Sequence, residues 1–373
     1  MTASASDPPS GSATAPKRTV PANLKRRGRG ALSNRTGRFE ALERVAVDDG
    51  WELPEEEALL RTEVTTERPR RVISRNESPD IPFDRSINPY RGCEHGCIYC
   101  FARPTHAWLG MSAGLDFETR LIARPGAAEV LRRELAAPSY RVAPIAIGTV
   151  TDPYQPLEGR LRVTGAILEV LEEFAHPVSI VTKGTLIEHD AALLGRMGRR
   201  ALAWVGVSIA TLDARLARRL DPRAPSPARR LRVIARLAAA GCPVRLMVAP
   251  VIPGLTDHEL ERILAAGARA GAVAASWIML RLPREVAPLF EEWLQRHCPA
   301  RAGRVLARLR EIHGGRLYDP RWGRRMRGGG EHARLIARRF ALALARNGLS
   351  GESIRLRRDL FRVPGRGTQL PLL

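Results

Sequence analysis

The chain has 373 residues, 44% of them apolar, which is enough for a large core. Its five cysteines are an odd number and argue against a disulfide framework, and the absence of any apolar run of about 18 residues argues against a membrane span. The net charge of +21 points to a polyanion as partner, DNA or RNA first, with a merely solvated arginine surface as the alternative.

Residues 1–24 are rich in Ser, Ala and Pro and lack the apolar centre of a secretory signal, so a cytoplasmic location is expected. The stretch 25–38, KRRGRGALSNRTGR, is basic and without hydrophobic period. Together these suggest a disordered basic arm over 1–40, followed by an extension over 41–83. From about Ser86 short apolar runs alternate with amphipathic stretches. Strands are expected at 145–151, 178–183, 202–209, 244–251 and 274–281, and helices at 126–137, 164–174, 189–199, 227–240 and 257–270. Ile167, Val170, Leu171 and Phe174 repeat at i, i+3, i+4 and i+7, one face of a helix. The strand runs are apolar throughout, as in a parallel sheet buried on both faces, and repeated β–α units make such a sheet or a barrel. In either, chemistry gathers at the C-terminal strand ends. A core over 84–287 thus precedes a mostly helical extension over 288–373; its segment 301–373 carries 18 arginines against five acidic residues. Within it, Tyr318 and Trp322 stand among arginines, a mixture suited to stacking bases and binding phosphates, or to an ordinary basic loop.

Cys93, Cys97 and Cys100 stand in the spacing C-x3-C-x2-C. Thiolates are soft ligands for iron–sulfur clusters or zinc. A 4Fe–4S cube takes four ligands, so three cysteines leave one iron open to a small molecule. The competing reading is a Cys3His zinc site completed by His95 or His106, although no second cysteine pair is present. Cys242 and Cys298 lie far away and read as packing thiols.

With these residues the chain resembles the radical S-adenosylmethionine (SAM) superfamily, and within it the bacterial group related to spore photoproduct lyase and the DNA repair photolyase-like proteins. The stretches carrying the resemblance are INPYRGCEHGCIYCFARPTH (87–106), GTVTDPYQPLE (148–158), SIVTKGTLIEHDAALL (179–194), VGVSIATLD (205–213) and APVIPGLTDHELERIL (249–264), in that order. The resemblance implies a partial (β/α)6 TIM-type barrel, a 4Fe–4S cluster on Cys93, Cys97 and Cys100, bound SAM, and an external one-electron donor such as flavodoxin or ferredoxin. It implies Tyr99 beside the adenine and Thr151, Asp152, Lys183 and Ser208 in the SAM pocket. Lys183 gains independent weight as the only lysine in a core that otherwise uses arginine. Gln155 and Glu158 are weaker candidates for a polar rim after the 145–151 strand. Where the lyase carries a hydrogen-donating cysteine, immediately before the position of Thr151, this chain has Val150. Tyr99, Tyr154 and Cys242 are the substitutes to consider.

Two functions follow. One is an enzyme that reductively cleaves SAM and abstracts hydrogen from a substrate related to nucleic acid. The other is an iron–sulfur or zinc protein that holds DNA or RNA on its basic flanks without turnover. The separate polar strand ends at 151–152, 183 and 208 favour the enzyme, since a binding module has no need of them.

Overall fold

The computed structural model describes residues 28–40 and 60–365, together with the two-residue strands Arg18–Thr19 and Arg44–Val45, which pair in parallel. The rest of the expected arm and of the 41–83 extension lies outside the described residues. Seven strands form the central sheet, in the order Ala274–Met279, Val244–Val251, Ala203–Ser208, Val178–Thr182, Ile145–Ile147, Arg85–Ile87, Ser74–Arg75. All neighbours are parallel except the last pair. Helices connect the parallel strands, giving an α/β partial barrel.

The sequence dictates this arrangement locally. Strand Val178–Thr182 is covered on both faces, with four of its five residues buried, as suits a run in which all but Ser179 are β-branched. Helix Val163–Glu173 turns Ile167, Val170 and Leu171 onto the sheet, and Phe174, the residue that ends it, packs with them. Full burial of an aliphatic side chain is worth roughly 1.5–3 kcal/mol before entropy is counted, so a face of four such residues fixes the helix. Helix Pro227–Ala239 starts where Ser226 Oγ accepts from Arg229 N at 3.3 Å and Pro227 presets the first turn. At Gly148 (φ +91°) the chain leaves the Ile145–Ile147 strand; a Cβ there would lie 2.3 Å from the Val181 carbonyl oxygen, so only glycine passes.

Two expectations need revision. The basic segment expected to be disordered is, over 28–40, packed on the protein: Ala31 is buried, and Gly30 N and Ala31 N donate to Glu118 at 2.9 and 2.8 Å. Backbone hydrogen bonding to a buried carboxylate leaves no hydrophobic period to read. The C-terminal extension is helical over Val286–His297, Pro299–Ile312 and Gly330–Arg346, but its 347–365 stretch runs back along the base of the barrel. There Ser350 bridges Ala274, Arg357 N donates to Ala201 O at 2.8 Å, and Arg362 N to Phe174 O at 3.0 Å. No helix among the described residues is long and apolar enough to cross a membrane.

Candidate active site

The cysteine loop follows the Arg85–Ile87 strand and the short Tyr90–Arg91 strand. Its backbone groups are tied mostly to distant parts of the chain. Cys93 N donates to Phe117 O at 2.9 Å, Ile98 N to Leu220 O at 3.0 Å, and Cys100 N to Cys97 O at 3.2 Å. Thr151 Oγ1 donates to Gly92 O at 2.6 Å, and Gln155 Oε1 accepts from Glu94 N at 2.8 Å. All three cysteines are free thiols and line one wall of a cavity of about 180 Å³. Burial pushes each thiol above its ordinary pKa, for Cys100 against the pull of Arg103 and Lys183. Buried thiols of this kind ionise only when a cation binds them. Among the described residues no three His, Cys, Asp or Glu side chains stand close enough together to hold one metal ion. The two histidines at the loop each have a contact on one ring nitrogen: His106 Nε2 is 2.9 Å from Arg120 O, and His95 Nδ1 is 3.2 Å from Asp152 Oδ2.

The other walls of the cavity are strand ends. Thr151 and Asp152 follow Ile145–Ile147, Lys183 follows Val178–Thr182, Ser208 closes Ala203–Ser208, and Ala249 and Pro250 belong to Val244–Val251. Tyr99 also lines it, so the three cysteines and the five residues that the resemblance places in the SAM pocket meet at one cavity, whereas Gln155, Glu158, Tyr154 and Cys242 do not line it. Asp152 is the fastener among them. Its carboxylate accepts from Thr182 Oγ1 at 2.6 Å, Lys183 N at 2.8 Å and Tyr154 N at 2.9 Å. Burial alone would raise its pKa, but His95, Thr182 and the Lys183 amide outweigh burial and hold it at about 2. Asp152 therefore ties one strand end to the next and orients Lys183.

Behind Lys183 lies a charge pair that sequence reasoning missed. Asp221 and Arg230 are both 2% exposed; Arg230 Nη2 donates to Asp221 Oδ2 at 2.9 Å, its Nη1 to Ser208 O at 3.1 Å and its Nε to Pro225 O at 2.8 Å. Burial pushes the Lys183 ammonium down, but Cys97 and Asp221 more than offset this and its pKa ends raised. The Lys183 Nζ sits 5.6 Å from the centroid of the Tyr99 ring. Asp221 was unreadable because it sits nine residues from Arg230 across a loop, with no periodic pattern to pair them. Arg281 was missed too: it lines the cavity with its guanidinium 4.6 Å from the Phe101 ring and 5.9 Å from the Tyr318 ring.

Gln155 and Glu158 do not form a rim. Gln155 is fully buried against the cysteine loop, and Glu158 accepts from Tyr90 Oη and from Thr164 N and Gly165 N, the last two at 3.0 and 3.1 Å. Val150 lines the cavity and packs with Cys93, Ala102 and Phe117. Of the hydrogen donors considered in its place, Tyr154 Oη donates to Asp190 at 2.9 Å and Cys242 packs beside Pro243; neither lines the cavity, whereas Tyr99 does. In the basic extension Arg321 pairs with Asp319 and Arg325 with Asp80, while Trp322 is exposed.

Comparison with known proteins gives a consistent picture. The model of the radical SAM superfamily matches residues 87–266. An uncharacterized protein of Mycobacterium tuberculosis is 40% identical over 242 residues, 64% of this chain and 70% of that protein. Among solved structures, a spore photoproduct lyase mutant superposes with a TM-score of 0.55 at 16% identity, over 78% of this chain and 82% of its own. A spore photoproduct lyase mutant with bound AdoMet and dinucleoside spore photoproduct gives 0.53 at 16% identity, over 78% and 82%. At these identities the likeness is one of fold.

Proposed function

The chain belongs to the radical SAM superfamily and is a radical SAM enzyme, and from that premise we propose that it holds a 4Fe–4S cluster on Cys93, Cys97 and Cys100, binds SAM at the adjoining strand ends and abstracts hydrogen from a nucleic-acid substrate. The observation carrying this reading is that three free thiols, Cys93 and Cys97 buried and Cys100 half-buried, share one cavity with the polar ends of three successive strands. A cube spreads its thiolates over separate irons, which suits three cysteines that do not converge on one point. A single zinc ion fits poorly, because no three His, Cys, Asp or Glu side chains converge on one point among the described residues, let alone four.

When bound, the cluster and SAM supply reductive cleavage of SAM and, with it, a carbon radical that takes hydrogen from the substrate. The protein's own part is placement and exclusion of water. Lys183, oriented through Asp152 and kept charged by Asp221, offers an ammonium to a carboxylate. Tyr99 offers a ring face, and Ser208, braced by Arg230, offers a hydroxyl. Arg281 between Phe101 and Tyr318 gives the cavity a cationic, aromatic wall, and a nucleotide has the matching phosphate and base. A spore photoproduct lyase with a bound dinucleoside photoproduct shares the fold, which supports a nucleic-acid substrate. The last step differs from that of a lyase that uses a cysteine, because the thiols lining this cavity are the three cluster ligands alone.

The test is anaerobic reconstitution with iron and sulfide, followed by dithionite and SAM. Uptake of about four irons per chain and release of 5′-deoxyadenosine are expected. Iron uptake without any 5′-deoxyadenosine would refute the enzymatic reading in favour of a binding protein.

A further inference from the structure

Glu118 is fully buried, and its two oxygens join distant parts of the chain. Oε1 accepts from Ala31 N at 2.8 Å and from Arg103 Nη2 at 2.6 Å, while Oε2 accepts from Gly30 N at 2.9 Å. Arg103, equally buried, donates from Nε to the Cys97 carbonyl at 3.0 Å and from Nη2 to the Gly96 carbonyl at 3.3 Å. One carboxylate and one guanidinium thus connect the backbone of residues 30–31 to the loop that carries Cys97. Contact is close on the direct path as well. A Cβ on Gly30 would lie 1.7 Å from the Gly96 carbonyl oxygen, and one on Gly96 2.7 Å from Glu118 Oε2. Ala31 joins the same apolar cluster as Cys97, Ile98 and Tyr99. Arg29 Nη1 donates to Glu118 O at 2.8 Å, and further along Asn34 Nδ2 donates to Asp116 Oδ1 at 2.9 Å.

We infer that residues 29–34 form a strap that positions Cys97 for the cluster, through Glu118 and Arg103, and closes that side of the loop to solvent. The inference rests on the cluster reading above. A loop without regular structure opens locally at low cost, and each opening exposes the iron it holds. Hydrogen bonds from the strap to a buried carboxylate make that opening costlier, because it would strand Glu118 beside unpaired amides. Gly30 and Glu118 act here as positioning residues and touch no substrate.

The experiment uses the full chain, reconstituted anaerobically. Gly30→Val should force the strap away from Gly96, and Glu118→Gln should weaken its anchor while keeping its shape. Gly303→Ala, where an added Cβ meets nothing within 4 Å, is the control. Iron loss to a ferrous chelator, the electron paramagnetic resonance spectrum of the reduced cluster and the melting temperature of the iron-free protein are measured. Gly30→Val is expected to lose iron at least tenfold faster and to change the spectrum, with Glu118→Gln in between and the iron-free melting temperature of Gly30→Val within about 3 °C of wild type. Wild-type iron loss in Gly30→Val would overturn the inference, and so would an early melt of its iron-free form, which would make the strap a general stabiliser. A wild-type chain that takes up no iron would overturn the cluster reading itself and the strap's role with it.

Discussion

Replacing Asp221 by Asn removes the carboxylate that Arg230 is bonded to among the described residues, in a site where both side chains are 2% exposed. Breaking a buried pair from one side costs roughly 3–5 kcal/mol, because a charge is left in the interior without compensation. The lower end applies here. The Asn carbonyl can still accept from Arg230, and the Ser208 and Pro225 carbonyls remain as partners. With an unfolding entropy of about 2.1 cal/mol/K per residue, a unit of about 300 residues loses about 5 °C of melting temperature for ~3 kcal/mol. Calorimetry on the iron-free protein measures this. The discriminating partner is the double variant Asp221→Asn, Arg230→Met, which takes away the stranded charge and should recover more than half of the loss. A double variant as unstable as the sum of its singles would refute the view that the charge, and not the packing of this region, is at stake. The single variant should also bind SAM more weakly, since Arg230 holds the Ser208 carbonyl and Asp221 supports the Lys183 ammonium.

Three further outcomes are expected. Burial holds the pKa of His176 down at about 4, with Nδ1 3.0 Å from Pro177 O and Nε2 2.7 Å from Tyr140 Oη. Its neutral form belongs to the folded state, so its contribution to stability is complete above about pH 6.5 and is lost as pH falls toward 4, on the order of 3 kcal/mol; denaturant titrations of His176→Gln should show a flatter pH dependence, and an unchanged slope would contradict the assignment. Asp152→Asn should raise the dissociation constant for SAM about tenfold in equilibrium binding to the reconstituted protein, because the amide cannot accept from Thr182 Oγ1 and Lys183 N as the carboxylate does; unchanged affinity would leave Asp152 without a role in orienting Lys183. Arg281→Ala should lower affinity for single-stranded DNA or RNA and make the dependence of log K on log salt shallower by about 0.7, as expected for one lost phosphate contact on a single strand; loss of affinity with no change in slope would make Arg281 a packing residue.

How far the sequence could be read depended on the kind of interaction. The strands ending at Thr182 and Ser208 were legible because both faces of a parallel sheet are buried, so their residues are apolar without alternation. The cysteine spacing was legible because ligand chemistry fixes it locally, and the strand-end positions of Thr151, Lys183 and Ser208 followed from the resemblance. Strand Arg85–Ile87 was too short, at three residues, to stand out. Gln155 and Glu158 look like loop residues in sequence, yet they serve buried backbone amides, which no composition rule reveals. The strap over residues 29–34 was hidden for the same reason: its partner Glu118 lies 87 residues from Ala31, and the bonds come from backbone amides that every residue possesses.

Three cysteine ligands would leave one iron of a cluster open to SAM at the ends of the barrel strands. The most direct measurement is pulsed electron paramagnetic resonance on the reduced, reconstituted protein, with and without SAM labelled with nitrogen-15 in its amino group. A hyperfine coupling from that nitrogen to the cluster, abolished when Lys183 and Ser208 are both replaced by Ala, is the predicted result. A reduced cluster whose spectrum does not respond to SAM would contradict the account.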